Sequence, residues 1–343
     1  MKIGTPTTGL PQVVETYNAL VEAELQAVLA PRTVGLYQML RYQFGWLDPD
    51  GRPTSASAGK RLRPALCLAT CQALGGDVRQ AVPAAAAVEL VHNFSLVHDD
   101  IEDNSQKRCD RPAVWKVWGA AQAINVGDSL HALSRLALQR MLEAGVSADR
   151  VLWATRLLDE ATLHLCEGQS LDIMYQETVD VGIEDYYTMA RGKTAALIAC
   201  AMQLGGIVAT GDAGIVDTLG DVGTGLGTAF QIHDDVLDMT GEDETLAGDI
   251  QDKKKTYPVV YALEKGMPRA KEELRRIYGQ EKLSQKDVER VVSILRETQS
   301  IRFAREASRT SYEEAIAAYE RLPIGNDLKA VQQIARFMVE RDR

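Results

Sequence analysis

The chain is short of cysteine, of positive charge and of long apolar runs, and each shortage narrows what it can be. Five cysteines occur in 343 residues: Cys67, Cys71, Cys109, Cys166 and Cys200. Their number is odd and no CxxC occurs, so a disulfide framework is not read here and a reducing, cytoplasmic setting is expected. Cys67 and Cys71 lie four apart in an apolar stretch and read as small core residues. Lys and Arg total 38 against 48 Asp and Glu, a formal net charge of −10. Nucleic acid needs a basic surface and is excluded as a partner. Phosphate-bearing substrates stay open, because a few local cations or bound metals can serve them. The longest apolar stretch, residues 81–91, contains Pro83 and Glu89. It is too short for a bilayer, so no transmembrane segment is expected. The opening MKIGTPTTGLPQ has no apolar core of the signal-peptide kind. No run alternates with period two between turn residues, so no sheet is expected. Repeats of 20–50 residues, low-complexity tracts and linkers are absent as well.

Helical periodicity is what the chain has. Hydrophobic residues make 45% and charged residues 25%, which argues for a packed globular protein. Apolar residues recur at three or four over residues 10–29, 33–46, 60–74, 77–103, 120–144, 147–175, 183–206 and 213–239. Residues 268–343 are more charged but keep the same period. The expectation is one all-α domain over residues 1–343, built from ten or more helices. Lys60 is expected to open the third of these helices.

Two segments echo each other. Leu96-Val97-His98-Asp99-Asp100-Ile101-Glu102-Asp103 and Gln231-Ile232-His233-Asp234-Asp235-Val236-Leu237-Asp238 both carry HDDxxD at the end of an apolar helix. Asp99 and Asp103 are i and i+4, on one helix face about 6 Å apart along the axis, and so are Asp234 and Asp238. Like charges so placed destabilise a helix by a few tenths of a kcal/mol. A helix C-terminus disfavours anions further. A lone cluster of this kind could be an acidic patch in solvent. Two of them, each following an apolar run, call for cations between them. Mg2+ suits such oxygen ligands and commonly shares its sphere with substrate phosphates. His98 and His233 read as structural rather than ligating. Gly59-Lys60-Arg61-Leu62-Arg63-Pro64 sets Lys60 and Arg63 one turn apart at a helix start, where anions are favoured. Arg108, Arg111, Lys193-Thr194 and Lys253-Lys254-Lys255 supply further cations.

GKRLRP from Gly59, the first HDDIED, GQSLD at residues 168–172, GKT at 192–194 and FQIHDDVLD at 230–238 follow one another in this order. With them the chain resembles the trans-isoprenyl diphosphate synthases of the polyprenyl synthetase family, over roughly residues 59–263. The short-chain geranylgeranyl and farnesyl diphosphate synthases are the members it is most similar to. The resemblance implies an isoprenoid-synthase-type helical bundle around a deep central pocket, a homodimer, and three Mg2+ ions with substrate bound. It implies a prenyl transferase that condenses an allylic diphosphate with isopentenyl diphosphate. By motif, Asp99, Asp103 and Asp234 would ligate the metals, supported by Asp100, Asp235 and Asp238. Lys60, Arg63 and His92 would hold isopentenyl diphosphate. Arg108, Lys193, Thr194, Gln231 and Lys254 would line the allylic diphosphate, with Asp172 near the metals. Phe94 and Ser95, one turn before Asp99, would set the pocket floor. One aromatic there, and no insertion within the first motif, resembles geranylgeranyl rather than farnesyl synthases and implies a C20 product, with C15 the alternative. Phe94 could instead be a core aromatic facing away.

Two positions depart from the family pattern. After the first motif the family usually carries two adjacent arginines, then glycine. Here Arg108 is followed by Cys109 and Asp110. Cysteine cannot make the bidentate phosphate contact of arginine. Lys107 or Arg111 is the expected substitute. The loop after Asp238, residues 241–247, lacks the usual lysine and holds three acids, so Lys253, Lys254 or Lys255 is expected to stand in. Both changes remove cations and leave every metal carboxylate. Two alternatives therefore stay open: ionisation of an allylic diphosphate followed by cyclisation or transfer to another acceptor, and a non-catalytic partner subunit.

Overall fold

The computed structural model describes residues 10–54, 56, 59–239, 244–323 and 329–341, except for the side chains of 244–247. Among these residues sixteen α-helices follow in order. The first four are α1 (Gln12–Leu29), α2 (Leu36–Gln43), α3 (Leu62–Ala73) and α4 (Val78–Glu102). After a short hairpin come α5 (Val114–Trp118), α6 (Ala120–Gln139), α7 (Ala148–Glu177) and α8 (Ile183–Ala190). Beyond a π-helical turn (Arg191–Ala195) lie α9 (Ala196–Ala209) and α10 (Ala213–Asp238). The rest are α11 (Glu244–Gln251), α12 (Tyr257–Lys265), α13 (Pro268–Tyr278), α14 (Gln285–Glu297), α15 (Ser300–Tyr319) and α16 (Lys329–Glu340).

Local chemistry sets the two helices that end in acid. Asp77 caps α4 by accepting from Arg79 N–H, and Asp212 caps α10 by accepting from Ile215 N–H. Each then runs for about seven turns before its aspartates emerge. Residues Ala84 to Val88, Leu90 and Val91 of α4 are fully buried, so this helix lies in the core on every side. It packs chiefly against α6, while α10 packs against α9 and α15 and α3 against α9. Cys67, Cys71 and Cys200 are buried and free, as small core residues should be. A smaller apolar cluster joins α11, α12, α13 and α14.

Two expectations need correction, and a third point bears on the apolar runs. The no-sheet reading misses an antiparallel hairpin, β1 (Lys107–Arg108) with β2 (Arg111–Pro112). Two residues per strand are too few to show alternation. Cys109 (φ 49°) and Asp110 (φ 61°) are both left-handed, as a two-residue turn of the I′ kind requires. Lys60 does not open a helix, because Arg61 takes a left-handed conformation (φ 50°) and α3 starts at Leu62. Lys60 therefore sits outside the helix, and Arg63 alone of the pair belongs to its first turn. Finally, residues Ile183–Ala209 form a helical run apolar and long enough to cross a bilayer, although 72% of its most apolar window is buried in the protein. That burial marks it as a core element.

Candidate active site

The last turns of α4 and α10 bring both aspartate clusters to one end of the bundle, and each cluster meets cations from other elements. Asp99 accepts from Arg108 Nη2 at 3.1 Å, Lys193 Nζ at 3.4 Å and Gln169 Nε2 at 3.2 Å. Asp100, 1% exposed, accepts from Arg108 Nη2 at 2.6 Å and Nε at 3.0 Å, and its Oδ2 is buried without a donor among the described residues. Asp103 accepts from Lys254 Nζ at 3.0 Å. Lys254 also lies 3.6 Å from Asp249. Asp234 is ion-paired with Arg341, which follows α16. Asp235 accepts from Tyr186 OH and Tyr257 N–H, both at 2.7 Å, and from Gln231 Nε2 at 2.9 Å.

The electrostatics follow from burial set against these cations. Burial pushes Asp99 up, but Lys193, Arg108 and Lys254 outweigh it and hold the carboxyl below its ordinary value. Asp234 stays above its ordinary value, since burial exceeds the opposing effect of Arg341. Asp238 is pushed up to about 7, first by burial, then by Asp249 and Asp234. Asp235 is also pushed up to about 7, by burial against three hydrogen bonds. Lys254 and Lys193 are raised, their burial overcome by the surrounding carboxylates.

Lys193 and Thr194 reach this end from the π-helical turn between α8 and α9. The extra residue of a π turn rotates side chains off the α-helical register, and such turns recur at functional sites. Two glycines admit it. A Cβ on Gly168 would lie 2.0 Å from Lys193 N, and one on Gly192 would lie 2.7 Å from His164 O. Lys193 Nζ is then 2.5 Å from Asp172, and Thr194 donates to Gln231 at 2.5 Å.

A second group of cations faces Asp234. Arg63, partly buried, lies 3.3 Å from His92 Nε2 and has its guanidinium 6.0 Å from the Phe230 ring centroid. Arg341 approaches the same ring at 4.5 Å. The Lys60 ammonium is 5.5 Å from the Phe337 ring, and burial, then Arg341, lowers its pKa. His92 is held well below its usual value by burial and then Arg63, so the ring is neutral.

A cavity of about 450 Å³ is shared by Asp99 and Lys193 of the first group and Arg63 and His92 of the second. Arg63, His92, Asp99 and Lys193 line its polar part, and Phe94 and Leu165 line its apolar part. Phe94 thus borders the cavity while also packing against the main apolar core. His98 contacts Ile124 O at 3.3 Å, and His233 contacts Arg341 O at 2.9 Å, in keeping with the structural reading.

The expected substitutes for the missing arginine do not arrive. Cys109 is exposed at the hairpin tip. Arg111 is turned away, donating to Tyr42 O at 2.8 Å and Gln43 O at 3.3 Å with its guanidinium over the Tyr42 ring. Lys107 is exposed on β1. Of the three lysines after α11, Lys254 enters the site. Lys253 instead donates to Gln280 O at 3.2 Å, and Lys255 packs on Tyr278. In the acidic loop, residues 240–243 and the side chains of 244–247 lie outside the described residues.

Sequence reasoning missed Arg341, Gln169, Asp249 and Tyr186. Gln169 lies inside the GQSLD run and could have been found there. Arg341 carries no motif signal, because its place depends on how α16 returns across the bundle.

The donor set fits Mg2+. It consists of carboxylates, and cations hold three of them where a metal would stand. No group of three candidate ligands converges among the described residues. That suits an ion that takes one or two carboxylates and completes its sphere with phosphate and water.

The family model described as polyprenyl synthetase matches residues 50–295. Over 303 residues the chain is 36% identical to the geranylgeranyl diphosphate synthase of Mycobacterium tuberculosis, covering 87% of this chain and 85% of that one. It is 36% identical over 273 residues to the geranylfarnesyl diphosphate synthase of Aeropyrum pernix, covering 78% and 85%. The crystal structure of a polyprenyl synthetase from Streptomyces coelicolor superimposes with a TM-score of 0.87 at 34% identity, covering 96% of this chain and 100% of the other.

Proposed function

The chain belongs to the polyprenyl synthetase family and is a trans-prenyltransferase, and we propose that it extends allylic diphosphates with isopentenyl diphosphate to a C20 trans-polyprenyl diphosphate. One observation carries this reading: two aspartate clusters matched by cations lie at one end of the bundle, and Asp99 and Lys193 share with Arg63 and His92 a cavity that Phe94 and Leu165 also line. Asp99, Asp103 and Asp234 are the proposed Mg2+ ligands, with three ions when substrate is bound. Asp100, Asp235 and Asp238 support them. Bound Mg2+ would stabilise the negative charge that develops on the departing diphosphate.

The chain's own groups account for the rest. Lys193, Arg108 and Lys254 draw the allylic diphosphate to the acid clusters and share its charge. Its C–O bond breaks, the electron pair leaves with diphosphate, and an allylic carbocation remains beside it, with the hydrocarbon tail against Phe94 and Leu165. The apolar lining excludes water, which would quench the cation. Lys60, Arg63 and His92 hold isopentenyl diphosphate so that its double bond closes onto the cationic carbon. One proton then leaves to the departed diphosphate, so no protein base is required. Arg341 takes the place of the arginine that Cys109 replaces, which favours elongation over the altered-acceptor reading. The retained carboxylates favour an enzyme over a non-catalytic partner.

The exposed Leu136 of α6 and Leu152 and Leu163 of α7 support a homodimer face, the latter two 72% and 63% exposed. Five free cysteines support a cytoplasmic setting. The test incubates protein and Mg2+ with dimethylallyl, geranyl, farnesyl or geranylgeranyl diphosphate, with and without isopentenyl diphosphate, followed by mass spectrometry. Longer diphosphates that require isopentenyl diphosphate support the reading. Hydrocarbons or alcohols formed without it contradict the reading and favour the cyclase-like alternative.

A further inference from the structure

Three lysines follow α11, and their ammonium groups go to different places. The chain leaves α11 through a paired turn: Lys254 N–H donates to Asp249 O at 2.9 Å, and Lys253 N–H to Ile250 O at 3.0 Å. In this pattern the residue just past the helix is left-handed and is usually glycine. Here it is Lys253, with φ 56°. A side chain in that conformation strains the backbone, so a lysine there calls for a compensating contact. Its ammonium makes one, donating to Gln280 O at 3.2 Å, just beyond the end of α13. The C-terminal end of a helix favours a cation. Lys255 is 2% exposed, and its Nζ donates to Lys253 O at 3.0 Å while standing 4.7 Å from the Tyr278 ring centroid. Tyr278 is the last residue of α13 and belongs to the apolar cluster of α11 to α14. Both flanking lysines thus tie one turn to the end of α13, through backbone carbonyls and a buried ring. Between them, Lys254 Nζ reaches Asp103 at 3.0 Å and Asp249 at 3.6 Å.

Resting on the assignment of Lys254 to the allylic diphosphate above, we propose that Lys253 and Lys255 are positioning residues that fasten the turn after α11 to the end of α13 and so aim Lys254 at that diphosphate beside Asp103. They touch no substrate and act through Lys254. Without either tie the turn keeps its two backbone hydrogen bonds, but its link to α13 is weakened. The Lys254 ammonium then spends less time beside Asp103, and the allylic diphosphate is held less well. Isopentenyl diphosphate, assigned to Lys60, Arg63 and His92, is served by other elements and should not feel the change. Because the flanking lysines work through Lys254, their effects should vanish once Lys254 is gone.

The experiment compares wild type, K253G, K253R, K255M, K254M and K253G/K254M. With Mg2+ present, the KM for geranyl diphosphate is measured at saturating isopentenyl diphosphate, and the reverse. Binding of inorganic pyrophosphate with Mg2+ is read in parallel by calorimetry. K254M should raise the KM for geranyl diphosphate about tenfold, the scale of one charge-assisted hydrogen bond. K253G and K255M should each raise it by a part of that, about threefold or more, with the KM for isopentenyl diphosphate near wild type. K253R should return it towards wild type, because a cation again meets Gln280 O. K253G/K254M should match K254M. K253G is the decisive variant, because glycine suits the left-handed turn and folding is not put at risk; it carries the test alone if K255M does not fold. A K253G enzyme with wild-type KM for geranyl diphosphate would overturn the proposal, since lysine would then merely occupy a glycine position. A further KM increase on adding K253G to K254M would overturn it too, since the effect would not run through Lys254. A wild type that binds pyrophosphate but elongates nothing would overturn the elongation reading instead. Calorimetry of K253G then still decides the role of the turn: weaker pyrophosphate binding supports it and unchanged binding overturns it.

Discussion

A carboxylate at the C-terminal end of a helix faces both the helix dipole and its neighbours one turn away. Asp99, Asp103 and Asp234 accept that position, and Lys193, Lys254 and Arg341 offset it. Asp99→Asn should lower kcat by roughly 10²–10³-fold, the scale of losing one electrostatic contact to a developing charge. The melting temperature without substrate should fall modestly, because the cations around Asp99 favour its ionised form in the folded state, and steady-state kinetics with differential scanning fluorimetry check both. Glu89 is a residue of a different kind, buried in α4 with Arg61 3.8 Å away and Asn93 donating at 3.0 Å. Burial, against Arg61 and Arg63, pushes it up to about 7. The folded state then holds its proton more tightly than the unfolded chain, whose glutamate titrates near about 4.3. Stability from this group is full below that pH, falls as pH rises towards 7, and is level above. Glu89→Gln should make the decline of melting temperature between about pH 4.5 and 7 shallower, and an unchanged slope would contradict this titration. The aspartate clusters were legible residue by residue, because i,i+4 acids after an apolar run repel one another and so call for a bound cation. Glu89 was not, because a single acid in an apolar run shows neither its burial nor its partners.

At the scale of the element, the helices were legible and their interruptions were not. Residues 183–206 read as one helix, yet a π turn at Arg191–Ala195 decides where Lys193 and Thr194 point. Nothing in a 3.6-residue period distinguishes one extra residue inside a run. Gly168 and Gly192 were visible only as parts of motifs, and their reason is the close approach of α7 to that turn. Gly168→Ala should displace Lys193, lowering both kcat and melting temperature, whereas an active, equally stable variant would show that the turn tolerates the shift. The hairpin at Lys107–Pro112 was invisible for want of length, and it hides the reason Arg111 is no substitute for the missing arginine. The proposed bearer of that role is Arg341, after α16. Arg341→Ala should raise the KM for isopentenyl diphosphate about tenfold, the scale of one charge-assisted hydrogen bond, and leave the KM for the allylic substrate near wild type. Equal increases in both would point to a general loss of order at that end of the bundle.

At the scale of the whole molecule, the fold class was legible because apolar period and length agree along nearly the whole chain. What holds the site together was less so, since the contacts that matter join distant segments: Asp103 to Lys254, Asp99 to Gln169, Asp234 to Arg341. Helix order brings α4, α7, α10 and the end of the chain to one face, and no local pattern records that convergence. The result is a pocket charged at one end and apolar at the other, which suits a molecule with a diphosphate head and a hydrocarbon tail. The most direct measurement uses dimethylallyl diphosphate, Mg2+ and isopentenyl diphosphate carrying five 13C atoms, with the mass of the longest diphosphate product read at completion. Elongation to C20 requires a diphosphate containing three labelled units. Unlabelled products, or none that retain the diphosphate, would contradict it.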